Sequence, residues 1–383
     1  MAKSLNTQNK YGILLLLITF VSGLATSCKK VTSDKSASNT FIKTFQIDSG
    51  AIGAFVEQYP DGSFFLVSSK GNGSAFLIQT DKYGNPIWQY NTPSDPISTN
   101  NFWNVLNYAD PYHFLLQTGP LVTNMDNKGN IISQNNISNA SGWPSNYIGV
   151  IFPNGNNFVG SVCDGTQTGL PSDNIILSLD ENLAIKTELQ FKDAILGGKT
   201  RSFYTFGESP DSSFKICGSK FPRKNWTWDD NYKIFVAKIK YNRAAIETMI
   251  DTGNKSLSDD INWMEQAPDS GLILLVNRTD KALRVSYPVI MRFDKNMNLN
   301  WEKEIQTGQA INFVNVTPCP DGGFFIYGST GYIRATSYQP YAMKIDRNGN
   351  IVWQKTFTSS GNGGFNYGCQ SADGGYADRK SVV

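Results

Sequence analysis

A single histidine, His113, serves the whole 383-residue chain. That scarcity removes the commonest general base and metal ligand. No GxSxG elbow, Walker-type phosphate loop or HExxH pair occurs anywhere in the sequence. The five cysteines show no CxxC spacing and no ligand cluster, so no metal site is read. Charge is sparse as well: Asp, Glu, Lys and Arg make up 17% of residues and the net charge is +2, which leaves no footprint for nucleic acid. No cofactor motif is found either. What the chain has in quantity is aromatic residues, 13%, and 34 glycines, a composition that suits many short strands joined by tight turns.

Those turns recur in a fixed order. The segment from Pro318 to Phe357 reads PCPDGGFFIYGSTGYIRATSYQPYAMKIDRNGNIVWQKTF. Pro320-Asp321-Gly322-Gly323 is a tight-turn signal, and Phe324 to Ser329 follows as a strand. Tyr341 to Ile345 is the next strand, Asp346 to Asn350 a hairpin turn, and Ile351 to Phe357 a strand carrying Trp353. With the run Ile311 to Val316 in front, the unit is a four-stranded meander. The first turn recurs at Asp61-Gly62, Asp110-Pro111, Asn154-Gly155, Asp211-Ser212, Asp269-Ser270 and Asp373-Gly374, at roughly 44–58-residue spacing. The second recurs at Asp81, Asp126 and Asp294, and outer-strand tryptophans follow at Trp88, Trp301 and Trp353.

A chain this long exceeds one compact core, but a repeat array does not need one, because each unit packs on its neighbours. Six units and part of a seventh are read between residues 41 and 383. The expected fold is all-β: a seven-bladed β-propeller of four-stranded antiparallel blades. Phe41 to Ile47 is a strand with no unit before it, and it is expected to close the last blade. After Tyr376 the chain reads Ala377-Asp378-Arg379-Lys380-Ser381-Val382-Val383 without apolar strand residues, so that blade is expected to be incomplete at its C-terminal side.

Lys3 and Lys10 precede an apolar run, Tyr11 to Leu24, which is shorter than a membrane span and has the flanks of an export signal. It ends Leu24-Ala25-Thr26-Ser27-Cys28, which resembles the lipobox of bacterial lipoproteins. The resemblance implies a signal peptide over 1–27, acylation of Cys28 and a membrane anchor at the bacterial envelope. The Lys-, Ser- and Thr-rich residues 28–40 read as a tether. The repeats DGG[FY] at Asp321 to Phe324 and DxxGNxxW at Asp346 to Trp353 resemble those of Bacteroidetes lipoprotein β-propellers of unknown function. The second pattern also resembles the tryptophan-docking repeats of quinoprotein-like propellers. Quinoprotein cofactor residues cannot be placed here, so cofactor use is not carried over.

Candidate binding residues are aromatic. Phe55, Trp103, Tyr147, Tyr204, Trp263, Phe313 and Tyr367 recur on the innermost strands, either as packing between sheets or as a ring of flat faces at a channel mouth. The longest loop, Lys220 to Asn231, carries Trp226, Trp228, Asp229 and Asp230; the sixth unit's loop carries Tyr332, Arg334 and Tyr338. Asp229-Asp230 and Asp259-Asp260 read as loop acids. Cys319 and Cys369 fall near the ends of inner strands in adjacent units, where a disulfide is conceivable. The sequence expectation is a monomeric, envelope-anchored module that binds a glycan or an envelope protein. An enzyme acting on polysaccharide through carboxylates at the channel mouth is the alternative.

Overall fold

The computed structural model describes residues 15–20, 41–45, 52–69, 74–91, 104–107, 113–118, 121–126, 128–137, 148–154, 157–163, 173–192, 199–208, 213–221, 232–240, 245–252, 257–280, 282–283, 285–305, 310–331, 338–358, 363–371 and 375–382. Its strands, β1 to β28 in chain order, fall into seven four-stranded sheets. Six are uninterrupted antiparallel meanders: β3–β6 (52–91), β7–β10 (104–136), β11–β14 (148–192), β15–β18 (199–252), β19–β22 (258–304) and β23–β26 (311–356).

The strand patterns follow from what each strand faces. Second and third strands are continuous apolar runs, such as Phe64–Ser69 (β4) and Ala75–Thr80 (β5), and β5 is buried along its whole length. Such runs are expected where a sheet is covered on both faces. Fourth strands, such as Pro86–Asn91 (β6) and Ile351–Thr356 (β26), are exposed at most positions. Successive sheets share apolar clusters. Phe55, Phe65 and Leu77 of the first sheet meet Phe114, Leu116 and Met125 of the second. Ile273, Leu275 and Ile290 of the fifth meet Phe313, Ile326 and Met343 of the sixth.

The first strands touch one another in a closed cycle. Ile52–Gln58 (β3) contacts Asn104–Asn107 (β7), and contacts continue through Ile148–Asn154 (β11), Lys199–Glu208 (β15), Ser258–Gln266 (β19), Ile311–Pro318 (β23) and Gly363–Gln370 (β27), which returns to β3. Four-stranded sheets arranged radially with their first strands inward make a β-propeller.

The last sheet differs from the expectation. Phe41–Thr44 (β2) is its outermost strand, as expected, but the sheet is not short of a strand. Its order is β2-β1-β28-β27, with Tyr376–Val382 (β28) second and Leu15–Phe20 (β1) third. Leu16 to Thr19 pair in parallel with Phe41 to Thr44, and Leu15 to Phe20 in parallel with Tyr376 to Ser381. The physical reason is compositional: the sequence reading looked for that strand after Tyr376, whereas LLLITF, an apolar run like the third strands of the other sheets, supplies it from residues 15–20.

The turn between third and fourth strands is one hydrogen-bond device repeated. Asp346 Oδ1 accepts the N–H groups of Asn348 and Asn350, and Oδ2 accepts the Asn350 side-chain amide. Those bonds from Asn350 hold the Asp346 carboxyl below the usual carboxylate range. The same pattern serves Asp81, Asp126 and Asp294. A further copy, unread in the sequence, is Asp180, whose carboxylate accepts Asn182 and Ala184 N–H. It lacks both glycine and terminal asparagine, and Leu183 takes the positive φ of 67°.

These turns also join neighbouring sheets. Trp301 of the fifth sheet donates its indole N–H to Arg347 O in the sixth sheet's turn, at 3.1 Å. Its ring covers Gly349, where a Cβ would stand 3.0 Å from the Trp301 ring. Trp88 covers Gly129 of the next sheet in the same way. By contrast Gly322, with a similar φ of 79°, has nothing within 4 Å of an added Cβ. Gly322→Ala therefore carries only the left-handed backbone cost, about 1 kcal/mol. Gly349→Ala carries that cost and also displaces Trp301, so urea denaturation should show it about 1–2 kcal/mol less stable than Gly322→Ala.

Candidate functional site

The meander order makes the two ends of the ring unlike. First–second and third–fourth connections share one end, and among the described residues Asp61, Asp269 and Asp321 close first turns while Asp81, Asp126, Asp180, Asp294 and Asp346 close second ones. The acid of the first turn is also held from the third strand: Lys344 Nζ lies 2.8 Å from Asp321 Oδ1, and Arg292 Nη2 lies 2.6 Å from Asp269 Oδ2. Second–third connections lie at the other end. The longest there span 222–232, between Ser213–Phe221 (β16) and Lys233–Lys240 (β17), 164–172, between Asn157–Cys163 (β12) and Asp173–Leu179 (β13), and 331–338, between Phe324–Thr330 (β24) and Gln339–Ile345 (β25).

Of the sequence candidates at that loop end, Trp226, Trp228, Asp229, Asp230, Tyr332 and Arg334 lie outside the described residues, as do Trp103 and Cys28. Tyr338 is half-buried, and its carbonyl accepts the Gly363 N–H at 3.1 Å, which ties the base of its loop to the next sheet's inner strand. The 222–232 loop is tied similarly. Tyr232 donates its N–H to Ser258 Oγ at 3.0 Å, and Asp259 donates its N–H to Tyr232 O at 2.9 Å.

Asp259 corrects the sequence reading. It is not a solvated loop acid; it sits in β19 with 0% exposure. Arg278, on Leu272–Asp280 (β20), grips it in a fork, Nε to Oδ1 at 2.7 Å and Nη2 to Oδ2 at 2.8 Å. Arg278 Nη1 reaches Glu302 Oε1 at 2.6 Å and Glu304 Oε1 at 3.2 Å. The Asp259 hydrogen bonds, foremost, hold the guanidinium in its charged form, against the opposing effect of burial. One cation thus joins three strands directly beneath the anchor of the longest loop. Bidentate, desolvated pairs of this kind fix geometry more than they add net stability.

Of the aromatic series, the side chains described are those of Phe55, Trp263 and Phe313. Phe55 and Phe313 are buried in the clusters between sheets. Trp263 is half-buried against the cluster between the fifth and sixth sheets. The cysteines within reach are buried thiols: Cys319 and Cys369 are unbridged, and burial, foremost, pushes Cys319 up to about 11. Cys217 packs its Sγ 3.3 Å from Met264 Sδ.

A second polar cluster lies at the tight-turn end of the inner strands, and the sequence reading missed it. Glu57 stands opposite Phe65 and Glu265 opposite Ile273, the same register one step before the first turn. Both acids are half-buried. Burial, foremost, pushes Glu265 up to about 8; the Glu57 charge adds to the rise, while the Gln266 backbone N–H and Trp263 pull against it. The Trp263 indole N–H is buried and makes no hydrogen bond. Tyr59, 4% exposed, has a buried hydroxyl without a partner, and burial followed by the charges of Glu57 and Asp61 raises its pKa. A signal was present: Phe55-Val56-Glu57-Gln58 and Trp263-Met264-Glu265-Gln266 repeat the order aromatic, apolar, Glu, Gln at the same place in two units.

Known proteins match the chain by shape alone. No protein-family model and no curated protein matches it. The structure is similar to the Dos1 propeller, at 13% identity and a TM-score of 0.48, covering 85% of this chain and 90% of that one. It is also similar to a protein of unknown function from Bacteroides caccae, at 13% identity and a TM-score of 0.40, covering 76% of this chain and 93% of that one. The quinohemoprotein alcohol dehydrogenase from Comamonas testosteroni is similar at 10% identity and a TM-score of 0.43, covering 81% of this chain and 68% of that one. Strand order and the cycle of inner strands, not these likenesses, carry the fold assignment.

The Glu265 environment fixes a pH dependence. Between its ordinary value, 4.5, and about 8 the folded chain holds a proton that the unfolded chain releases. Stability therefore falls as pH rises through that window. Glu265→Gln in metal-free buffer should leave the urea midpoint unchanged at pH 4.5 and raise stability by about 1–3 kcal/mol at pH 8.5.

Proposed function

We propose that the seven sheets form one seven-bladed ring, held at the bacterial envelope through an acyl chain on Cys28, and that the ring's loop end binds a glycan or an envelope protein. The observation that carries this reading is the asymmetry of the two ends. One end is closed by aspartate turns repeated from sheet to sheet, whereas the loops with the exposed-type aromatic sequences all belong to the other. Binding surfaces are usually loops set on a rigid frame. The anchors at Tyr232–Ser258 and Tyr338–Gly363 supply that frame. Trp226, Trp228, Tyr332, Arg334 and Tyr338 are the proposed contact residues, with Asp229 and Asp230 beside them.

The enzymatic alternative is less well supported. Among the described residues the acids that influence each other on the inner strands, Glu57 and Glu265, lie at the tight-turn end, away from these loops. A substrate held by the loop aromatics would not meet them.

On this reading Leu15–Phe20 has two successive roles. It is the third strand of the last sheet in the uncleaved chain, and it leaves with the leader when Cys28 becomes the first residue. In a bacterial host Cys28→Ala should abolish labelling by a radioactive fatty acid and release the protein from membranes. The soluble ring beginning at residue 28, passed over a glycan array and over envelope extract, should retain a defined ligand. The pair Trp226→Ala and Trp228→Ala should lose that ligand while the melting temperature stays unchanged; full retention by the pair would refute the proposed face.

A further inference from the structure

The tight-turn end carries an apolar rim that neither the packing nor the loop face uses. Among the described residues nine large apolar side chains are exposed, and seven of them lie in or just after the turns between third and fourth strands. Ile87 of β6 is 59% exposed, Ile132 of Ile131–Asn136 (β10) 50%, Leu299 of Leu299–Glu304 (β22) 41% and Val352 of β26 62%. Each stands within two residues of the asparagine that closes its turn. A basic side chain is exposed in the same four turns: Lys82, Lys128, Lys295 and Arg347. The third sheet's turn carries Glu181 instead. The four sheets with this pairing are the first, second, fifth and sixth, and the inner-strand contacts of β27 with β23 and with β3 place the last sheet between them.

The last sheet is also where the N-terminal chain joins. Tyr376 opens β28 directly after the turn in which Ser371 donates its N–H to Gly375 O, so β28 starts at the tight-turn end. Leu16 stands opposite Ala377, and Phe41 opposite Leu16, both in parallel pairing. Phe41–Thr44 (β2) therefore starts at the tight-turn end and runs toward the loop end, as the fourth strands of the six meanders do. The chain before Phe41 leaves in the middle of the apolar arc.

We propose that this arc rests on a lipid bilayer. The occupant follows from the anchor proposed at Cys28, on which this inference rests. Lys29 to Thr40 can span at most about 40 Å when extended, so an acyl chain on Cys28 keeps the arc close to the bilayer, and β2 keeps its direction when β1 is cut away. Contacts too weak to hold alone are then occupied, because the tether raises their local concentration. Each turn pairs its basic residue with its aspartate, so apolar contact supplies the affinity instead of attraction to anionic lipid. Ile, Leu and Val enter the boundary of the acyl layer, while the lysine and arginine stems lie along it with their heads among the phosphates. The loop end faces away from the membrane.

Phosphatidylcholine vesicles test this with the full chain carrying Cys28→Ala. That chain cannot be acylated, so the outcome is independent of the labelling that tests the anchor. It should co-sediment with the vesicles. Threonine keeps a β-branched side chain at exposed strand positions, so the triple variant Ile87→Thr, Ile132→Thr, Val352→Thr should retain its melting temperature. It should bind at least about tenfold more weakly. Leu283→Thr with Val285→Thr, which removes the exposed apolar pair at the loop end, should bind as the parent does. No binding by the parent, or equal loss in the two sets, would overturn the proposal. Unchanged binding by the triple variant, the result that insertion of Tyr11 to Leu24 would give, would do the same. So would a dimer in light scattering that the triple variant abolishes, since the rim would then be a contact between copies.

Discussion

A twisted sheet with apolar residues on both faces has to be covered on both sides. That constraint governs this molecule. Its middle strands are buried along most of their length, and they achieve this only because another sheet stands on each side. A straight row would leave two such faces in water; a ring leaves none. Everything else in the architecture serves to keep the spacing of the sheets regular. The same aspartate turn joins third and fourth strands in five of the sheets, and the tryptophans of the first and fifth sheets rest on the glycine of the following turn. The propeller is therefore stabilised by many similar contacts between neighbours instead of one central core.

The parts of the fold that were legible in the sequence are those written locally. An Asp-x-x-Gly-Asn turn names its own hydrogen bonds, because the carboxylate accepts from residues two and four positions later. An apolar run between two turns names a covered strand. Where the local code was worn down, the reading failed for a physical reason. Asp180-Glu181-Asn182-Leu183-Ala184 makes the same turn with a leucine at positive φ, and packing of that buried leucine between the second and third sheets holds it there. The strand that completes the last sheet, Leu15–Phe20, pairs with a segment far along the chain, which no local pattern announces.

The polar sites were less legible, because their partners meet in space. Asp259 and Asp260 look alike in sequence, yet Asp259 is buried and paired with Arg278 of the neighbouring strand. Glu57 and Glu265 lie more than two hundred residues apart, and only the ring brings their charges into play. The repeated aromatic–apolar–Glu–Gln order was visible, but it does not tell how deeply the two glutamates are covered. The recurrent aromatics, by contrast, were visible and ambiguous. Phe55 and Phe313 proved to be wedge-fillers between sheets, the role that large rings take where radial sheets converge.

The Arg278 fork separates two kinds of change. Tyr232 and Ser258 secure the foot of the 222–232 connection, and Arg278 satisfies Asp259 beside it. A change at Arg278 strips a buried carboxylate of its counter-charge and loosens that foot, whereas a change at Glu302 or Glu304 leaves the Asp259 fork intact.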